Sequence, residues 1–309
     1  MADGRALLAQ WRELLAAVAQ RHGVDAETVV AVWGVESNYG KSFGKRPLVT
    51  SLATLSCFGR RQDYFRGEFI SLLSLLDRGD ITPQQAVGSW AGAFGHTQFM
   101  PSTYQRLAVD FDGDGRRDLV GSVPDALAST ANFLNKAGWK TGQAWGGMLA
   151  LPAGFDTSLT GRRAKRPASA WAAMGLKQAD GQALAGSAPT AVLLPAGAGG
   201  PAFWTTANFD AIYGYNAAES YALAIALLSD RLRGQPAPEL RWPTDDAGLS
   251  RAERREVQTL LAGRGHAIGE IDGMLGSASR SAIQAEQKRL GWPADGRAGQ
   301  KLLRALRLP

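Results

Sequence analysis

The run Val29-Val30-Ala31-Val32-Trp33-Gly34-Val35-Glu36-Ser37-Asn38-Tyr39-Gly40 decides how the rest of the chain is read. Asp25 stands where a helix N-cap belongs, and Gly40 stands where a helix stops, so the spacing predicts a helix ending near Ser37. Val29, Val32, Trp33 and Glu36 fall at i, i+3, i+4 and i+7 and share one face. Three are apolar and the fourth is a carboxylic acid. Burial disfavours the charged form of a carboxyl and raises its pKa. A Glu held in this way, close to the end of its helix, is suited to give up a proton near neutral pH. The competing reading is a Glu that turns to solvent or pairs with Lys41 or Lys45.

Outward from this run the chain reads as mainly α. Leu7, Leu8, Trp11, Leu14, Leu15 and Val18 predict a helix over residues 6–20. Phe65, Phe69, Leu72, Leu73 and Leu76 predict another over 61–76. Thr82-Pro83-Gln84-Gln85 has the form of a helix start, with a cap, a Pro at N1 and a Gln at N3. Pro124 opens a helix that closes near Gly138. Residues 217–232 are apolar on all sides and predict a buried helix. Between them, residues 141–209 are rich in Gly, Ala and Pro and read as loops with a few short strands. Gly234-Gln235-Pro236-Ala237-Pro238 begins a linker, so the expected domains are 1–244, including the 141–209 insertion, and 245–309. The second is a small three-helix unit, with turn signals at Asp272-Gly273 and Asp295-Gly296.

Composition narrows the function classes. A single cysteine, Cys57, excludes an internal disulfide framework and a Cys-based zinc site, and its apolar neighbours suggest a buried thiol. No apolar run approaches the length of a membrane span. The net charge is 34 − 28 = +6, which favours anionic partners. The basic residues do not interleave with aromatics as in a nucleic-acid groove, and the cluster Arg162-Arg163-Ala164-Lys165-Arg166 reads as a solvated loop. Neither a signal peptide nor a lipid-accepting Cys is recognisable near Met1, which fits a cytoplasmic protein or a mature form.

Three further stretches carry possible chemistry. Ser89-Trp90-Ala91-Gly92-Ala93-Phe94-Gly95-His96-Thr97-Gln98-Phe99-Met100-Pro101 alternates small residues with aromatics and polar groups. Such a loop suits close approach of backbone to a flat ligand, with Ser89 and Gln98 free to hydrogen-bond, or it is simply a tight packing loop. Asp110-Phe111-Asp112-Gly113-Asp114-Gly115 places oxygens at positions 1, 3 and 5 and Gly at 6, as an EF-hand loop opens. Gly121 stands where the closing Glu of that motif belongs, and a lengthened loop would bring in Asp125 instead. Cation binding is the favoured reading there and a metal-free acidic turn the other. Tyr213-Gly214-Tyr215-Asn216, followed by Tyr221, lines either a pocket or the core.

Taken in series, Val32 through Gly40, Ser51-Leu52-Ala53-Thr54-Leu55, Ala91 through Pro101, the Asp-rich loop and Tyr215-Asn216 resemble the lytic murein transglycosylase B family. The resemblance covers roughly residues 5–232. Ile271 through Gly276, Arg280-Ser281-Ala282-Ile283 and Leu290 through Gly296 resemble the helical peptidoglycan-binding domain. The first resemblance implies a lysozyme-like α fold with an EF-hand-like loop and Glu36 as a single catalytic residue. It implies sugar contacts from Ser89, Gln98, Tyr215, Asn216 and Tyr221. Structural Ca2+ would be held by Asp110, Asp112, Asp114, the backbone oxygen of Arg116, and Asp125, with no organic cofactor. His96 departs from the family, whose members often carry Tyr there. The implied activity is non-hydrolytic cleavage of the bond between N-acetylmuramic acid and N-acetylglucosamine, giving 1,6-anhydro ends. A lysozyme-like hydrolase, which needs a second carboxylate, and a non-catalytic wall-binding protein are the alternatives. Asp63 and Glu68 read as solvated, so neither is expected to serve as that carboxylate. The implied partner is peptidoglycan, not nucleic acid, and the expected state is a periplasmic monomer.

Overall fold

The computed structural model describes residues 1–308. The chain forms two compact units. One joins Met1–Gln143 to Ala207–Ala237, and the other joins Ala144–Thr206 to the residues from Pro238 on.

In the first unit the helix Ala26–Ser37 is buried on almost every side. Val29, Val30, Ala31 and Val32 are fully buried, and Trp33 nearly so. The Asp25 carboxylate caps its start, accepting from the Thr28 N–H and hydroxyl at 3.2 and 2.6 Å. Its end is fixed by Asn38 at φ 50°, whose N–H bonds the Gly34 carbonyl while Tyr39 N–H bonds that of Trp33. Around it pack Ala2–Gln10, Arg12–His22, Val123–Lys136 and Glu219–Leu232. The last of these is the buried helix expected near 217–232, with only Ala224 and Ser220 exposed along it. A second core joins Leu48–Cys57 and Gln62–Asp77 to Pro101–Leu107 through Leu48, Leu52, Leu72, Leu75, Phe94, Phe99 and Tyr104.

Two helix readings change in detail. The helix expected over 6–20 bends at Trp11 into Ala2–Gln10 and Arg12–His22, with hydrogen bonds running on through Trp11. At Thr82 the cap forms: Gln85 N–H reaches Thr82 Oγ1 and Thr82 N–H reaches Gln85 Oε1. Only one turn follows, because Val87–Gly88 instead pairs antiparallel with Arg46–Pro47. The pairing draws the chain out of helical geometry as soon as the capped turn closes.

The second unit holds more order than the sequence suggests. Residues 144–206 build a five-stranded antiparallel sheet in the order Arg166–Pro167, Pro189–Leu193, Ala202–Thr205, Gly146–Ala150, Lys177–Gln178. Trp171 is fully buried beside it and donates its indole N–H to the Thr190 carbonyl at 2.8 Å. Three helices, Arg251–Gly263, Ser277–Arg289 and Gln300–Arg307, enclose Val257, Leu261, Ile283, Leu302, Leu303 and Leu306. Ser250 and Glu253 make a reciprocal capping box at their start. The packing groups the insertion with these helices. Asp295 accepts from the Ala198 N–H at 2.8 Å, and Arg280 donates to Thr160 Oγ1 at 3.2 Å. The expected boundary at 244/245 follows the chain, whereas the compact units follow these contacts.

Candidate active site and acidic loop

Glu36 sits half-buried in the last turn of Ala26–Ser37, against the helix Glu219–Leu232. The Tyr221 hydroxyl donates to its Oε1. Burial raises the Glu36 pKa to about 7, and the Tyr221 bond draws it back only in part. The Tyr221 hydroxyl is itself pushed far above its ordinary range, by burial first and then by the Glu36 charge, so it stays a donor. With Oε1 accepting, the acid proton of Glu36 belongs on Oε2, which has no hydrogen-bond partner among the described residues.

Tyr215 joins the same neighbourhood. Its hydroxyl donates to the Thr97 carbonyl at 2.7 Å, and its ring packs on Phe99 and Phe133 at centroid distances of 5.8 and 4.6 Å. Burial and then the Glu36 charge raise its pKa. Asn216 follows it, exposed, at the end of the helix Ala207–Tyr215. The loop that carries Thr97 is tightly folded. Ser89 Oγ accepts from Ala93 N–H at 3.0 Å, which leaves its hydroxyl hydrogen to give. Gln98 lies at φ 52°, and its Nε2 donates to Gly95 O at 2.9 Å and Phe43 O at 3.3 Å. Its Oε1 is thereby aimed away from those carbonyls and has no described partner.

His96 links this loop to the Glu36 helix. Trp33 Nε1 donates to His96 Nδ1 at 3.1 Å, and Ser37 Oγ donates to the His96 carbonyl at 2.6 Å. His96 N–H in turn reaches the Leu119 carbonyl at 2.8 Å.

Two sequence expectations are corrected. Glu68 is not solvated: it is 4% exposed, and its two oxygens accept from Ser102 N–H at 2.9 Å and Ser102 Oγ at 2.7 Å. It caps the helix Pro101–Leu107, whose own residue before Pro101 offers no side-chain cap. Asp63, by contrast, points to water beside Arg66. Cys57 is exposed, because it falls one residue beyond Ser56 on the outer side of its helix.

In the acidic loop, Asp110, Asp112 and Asp125 bring carboxylate oxygens within 4.8 Å of one another. Asp125 is fully buried, and burial raises its pKa. Its oxygens also accept from the N–H groups of Phe111 and Asp118, both at 2.8 Å. Asp114 stands outside the cluster, exposed, and accepts from Arg116 N–H. Asp118 ties the loop to its surroundings through Gln85 Nε2 and the N–H groups of Val120 and Gly121. Three converging carboxylates with no Lys or Arg paired to them among the described residues suit a hard cation.

Residues 1–230 match the family model "Transglycosylase SLT domain", and residues 250–306 match "Putative peptidoglycan binding domain". The membrane-bound lytic murein transglycosylase B of Escherichia coli K12 is 37% identical over 223 residues, 70% of this chain. This chain spans 59% of that relative's length. The crystal structure of SltB3 from Pseudomonas aeruginosa, in complex with NAG-anhNAM-pentapeptide, superposes with a TM-score of 0.95 at 46% identity, covering 99% of this chain and 82% of that one. The Escherichia coli lytic transglycosylase Slt35 in complex with calcium gives a TM-score of 0.65 at 34% identity, covering 75% of this chain and 73% of that one. No described helix is long and apolar enough to cross a membrane. With the SLT model matching most of its length, the chain belongs to the lytic transglycosylase SLT-domain family.

Proposed function

We propose that this protein is a lytic transglycosylase of the bacterial cell envelope. It cleaves the β-1,4 bond between N-acetylmuramic acid and N-acetylglucosamine in peptidoglycan without consuming water. The observation that carries this reading is Glu36, with a pKa near 7 and one oxygen held by Tyr221. Oε2 gives its proton to the glycosidic oxygen as the bond to C1 of the muramic acid breaks. The muramic N-acetyl oxygen supports C1 as the bond leaves. The Glu36 carboxylate then takes the proton of the muramic C6 hydroxyl, whose oxygen closes on C1 to give the 1,6-anhydro ring. One residue serves as acid and then base, and its pKa lies near the working pH for both. In this reading Gln98 Oε1, the Ser89 hydroxyl and Asn216 orient the N-acetyl group and the sugar, while Tyr215 fixes the loop at Thr97.

A hydrolase would use a second carboxylate to activate water. Glu68, which the sequence reading set aside as solvated, has both oxygens committed to Ser102. The neighbouring acidic loop is proposed to hold Ca2+ through Asp110, Asp112, Asp125 and the carbonyl of Arg116, with Asp114 as an outer ligand. Bound there, the ion would fix loop structure. The relative Slt35 has been crystallised with calcium. The C-terminal helices are proposed to hold the enzyme on its polymer and so raise the local concentration of cleavable bonds.

The deciding experiment is mass spectrometry of muropeptides released from purified sacculi by the parent protein and by Glu36→Gln. Anhydromuramyl ends from the parent alone are expected. Hydrated reducing ends would establish a hydrolase instead. Retention on sacculi without products would leave a binding protein.

A further inference from the structure

Among the described residues of its loop, His96 is the one bonded to the Glu36 helix through both side chain and backbone. An indole N–H can only donate, so the His96 Nδ1 it meets must present a lone pair. The ring is therefore neutral, with its proton on Nε2. Phe43 and Trp33 pack edge-on against it at centroid distances of 4.7 and 5.6 Å. Gly40 leaves room for it: a Cβ there would come within 2.5 Å of ring atoms. One turn along the helix from Trp33, Ser37 Oγ holds the His96 carbonyl and also accepts from Gly40 N–H at 2.8 Å. Two residues along the loop is Gln98, and next to Ser37 is Glu36.

We propose that His96 is a positioning residue for bond cleavage. Its neutral ring, accepting from Trp33, pins the loop that carries Gln98 to the helix that carries Glu36. The inference rests on the transglycosylase reading for its kinetic consequence and on geometry alone for the pin. The pin has a chemical limit. An imidazolium would carry a hydrogen on Nδ1, donor against donor, and the Trp33 bond would be lost. Ionisable groups on the segments packed round the ring are Glu27 and Glu36 on the Trp33 helix, Tyr39, Lys41 and Lys45 on the segment with Phe43, and Asp118 beside Leu119, whose carbonyl receives the His96 amide; of their charges, that of Asp118 acts on the ring. Burial lowers the His96 pKa from 6.5, and the Asp118 charge opposes this. The neutral ring thus persists at neutral pH and is lost on the acid side. Glu36 needs its proton and so favours acid, whereas the pin fails there. His96 sets an acid limb that Glu36 alone would not produce.

The test compares His96→Leu, which keeps bulk without an acceptor, with His96→Asn, whose Oδ1 replaces Nδ1 and does not titrate. Turnover of glycan strands is measured from pH 4 to 9, with thermal melting to check folding. His96→Leu is expected to lose about tenfold or more in kcat with KM changed by less than about threefold, since misplacing the acid costs the chemical step. His96→Asn is expected to recover most of the loss and to lack the acid limb. An unchanged kcat in a folded His96→Leu, or an acid limb retained at the same pH in His96→Asn, overturns the proposal. The Trp33 indole N–H resonance supplies a readout independent of turnover. It is expected to titrate with His96 in the parent and to stay fixed in His96→Asn. A resonance that ignores pH in the parent defeats the pin even if cleavage is confirmed. A titrating resonance in a protein that cleaves nothing preserves the pin and defeats the transglycosylase reading.

Discussion

The Tyr221 hydroxyl binds Glu36 at Oε1, so the two oxygens of one carboxyl have different work. Oε1 is fixed in place, and Oε2 is left to exchange a proton. The bond also tunes acidity, because it is the one influence that opposes burial at Glu36.

Tyr221→Phe removes both effects. The acid becomes freer to rotate, and its pKa rises above 7 because burial remains unopposed. A kcat loss of roughly 10- to 100-fold is expected. The alkaline limb of the pH–rate profile should move to higher pH. A limb that moves to lower pH would contradict the assignment.

Glu36 also makes stability depend on pH. Its folded pKa of about 7 exceeds the reference 4.5, so the folded state holds the proton more tightly. That contribution is complete below about pH 4.5 and is lost as pH rises through 7. Above pH 8 the buried carboxylate costs on the order of 3 kcal/mol relative to its protonated form. Glu36→Gln should melt with the parent at pH 4.5 and above it at pH 8.5, as calorimetry would show.

Glu68→Ala should destabilise the first unit by about 1–3 kcal/mol. It removes the cap of Pro101–Leu107 and leaves Ser102 N–H without that acceptor. Chemical denaturation reads this directly. A change below about 0.5 kcal/mol would mean that water replaces the carboxylate without cost.

Calcium should raise the melting temperature of the parent, and a chelator should reverse the gain. Asp112→Asn, which weakens the cluster while leaving the buried Asp125 in place, should shrink the calcium-induced shift by at least half. An equal shift in both proteins would place the ion elsewhere.

Asp295→Ala should loosen the C-terminal helices from the sheet of residues 144–206. The carboxylate holds Ala198 N–H, Gln287 Nε2 and Arg297 N–H together. Faster protease cleavage within residues 234–249 is the expected sign, with the helical core itself still folded.

How far these relationships can be read from sequence depends on how local they are. Asp25 at the start, the Val29–Trp33 face and Gly40 beyond the end specify their helix locally, and it forms as expected. Glu68 is legible too: Glu68, Leu72 and Leu75 stand at i, i+4 and i+7 and are all buried, while its charged neighbours Asp63 and Arg66 lie on the exposed face of the same helix. Cys57 misleads for the opposite reason, since the buried row is Leu48, Leu52 and Ser56 and the thiol lies one step off it. Short strands are expected in residues 141–209 and are there, but their pairing into one sheet is not legible, because they are two to five residues long and their register comes from partners such as Gly146 with Thr205. The pairing of Glu36 with Tyr221 leaves no local trace, and only the family resemblance placed both in one site.

That pairing spans 185 positions of chain, with the whole of residues 144–206 between its members. Synthesis runs from the N-terminus, so Glu36 is made early and waits for its partner until most of the polypeptide exists. A truncated product that ends before Tyr221 lacks the donor at Glu36 and the buried helix Glu219–Leu232 that shields it. Exposed to water, its carboxyl returns to ordinary acidity and is ionised at neutral pH. The proton-donating state proposed for Glu36 is therefore withheld from incomplete chains by topology alone.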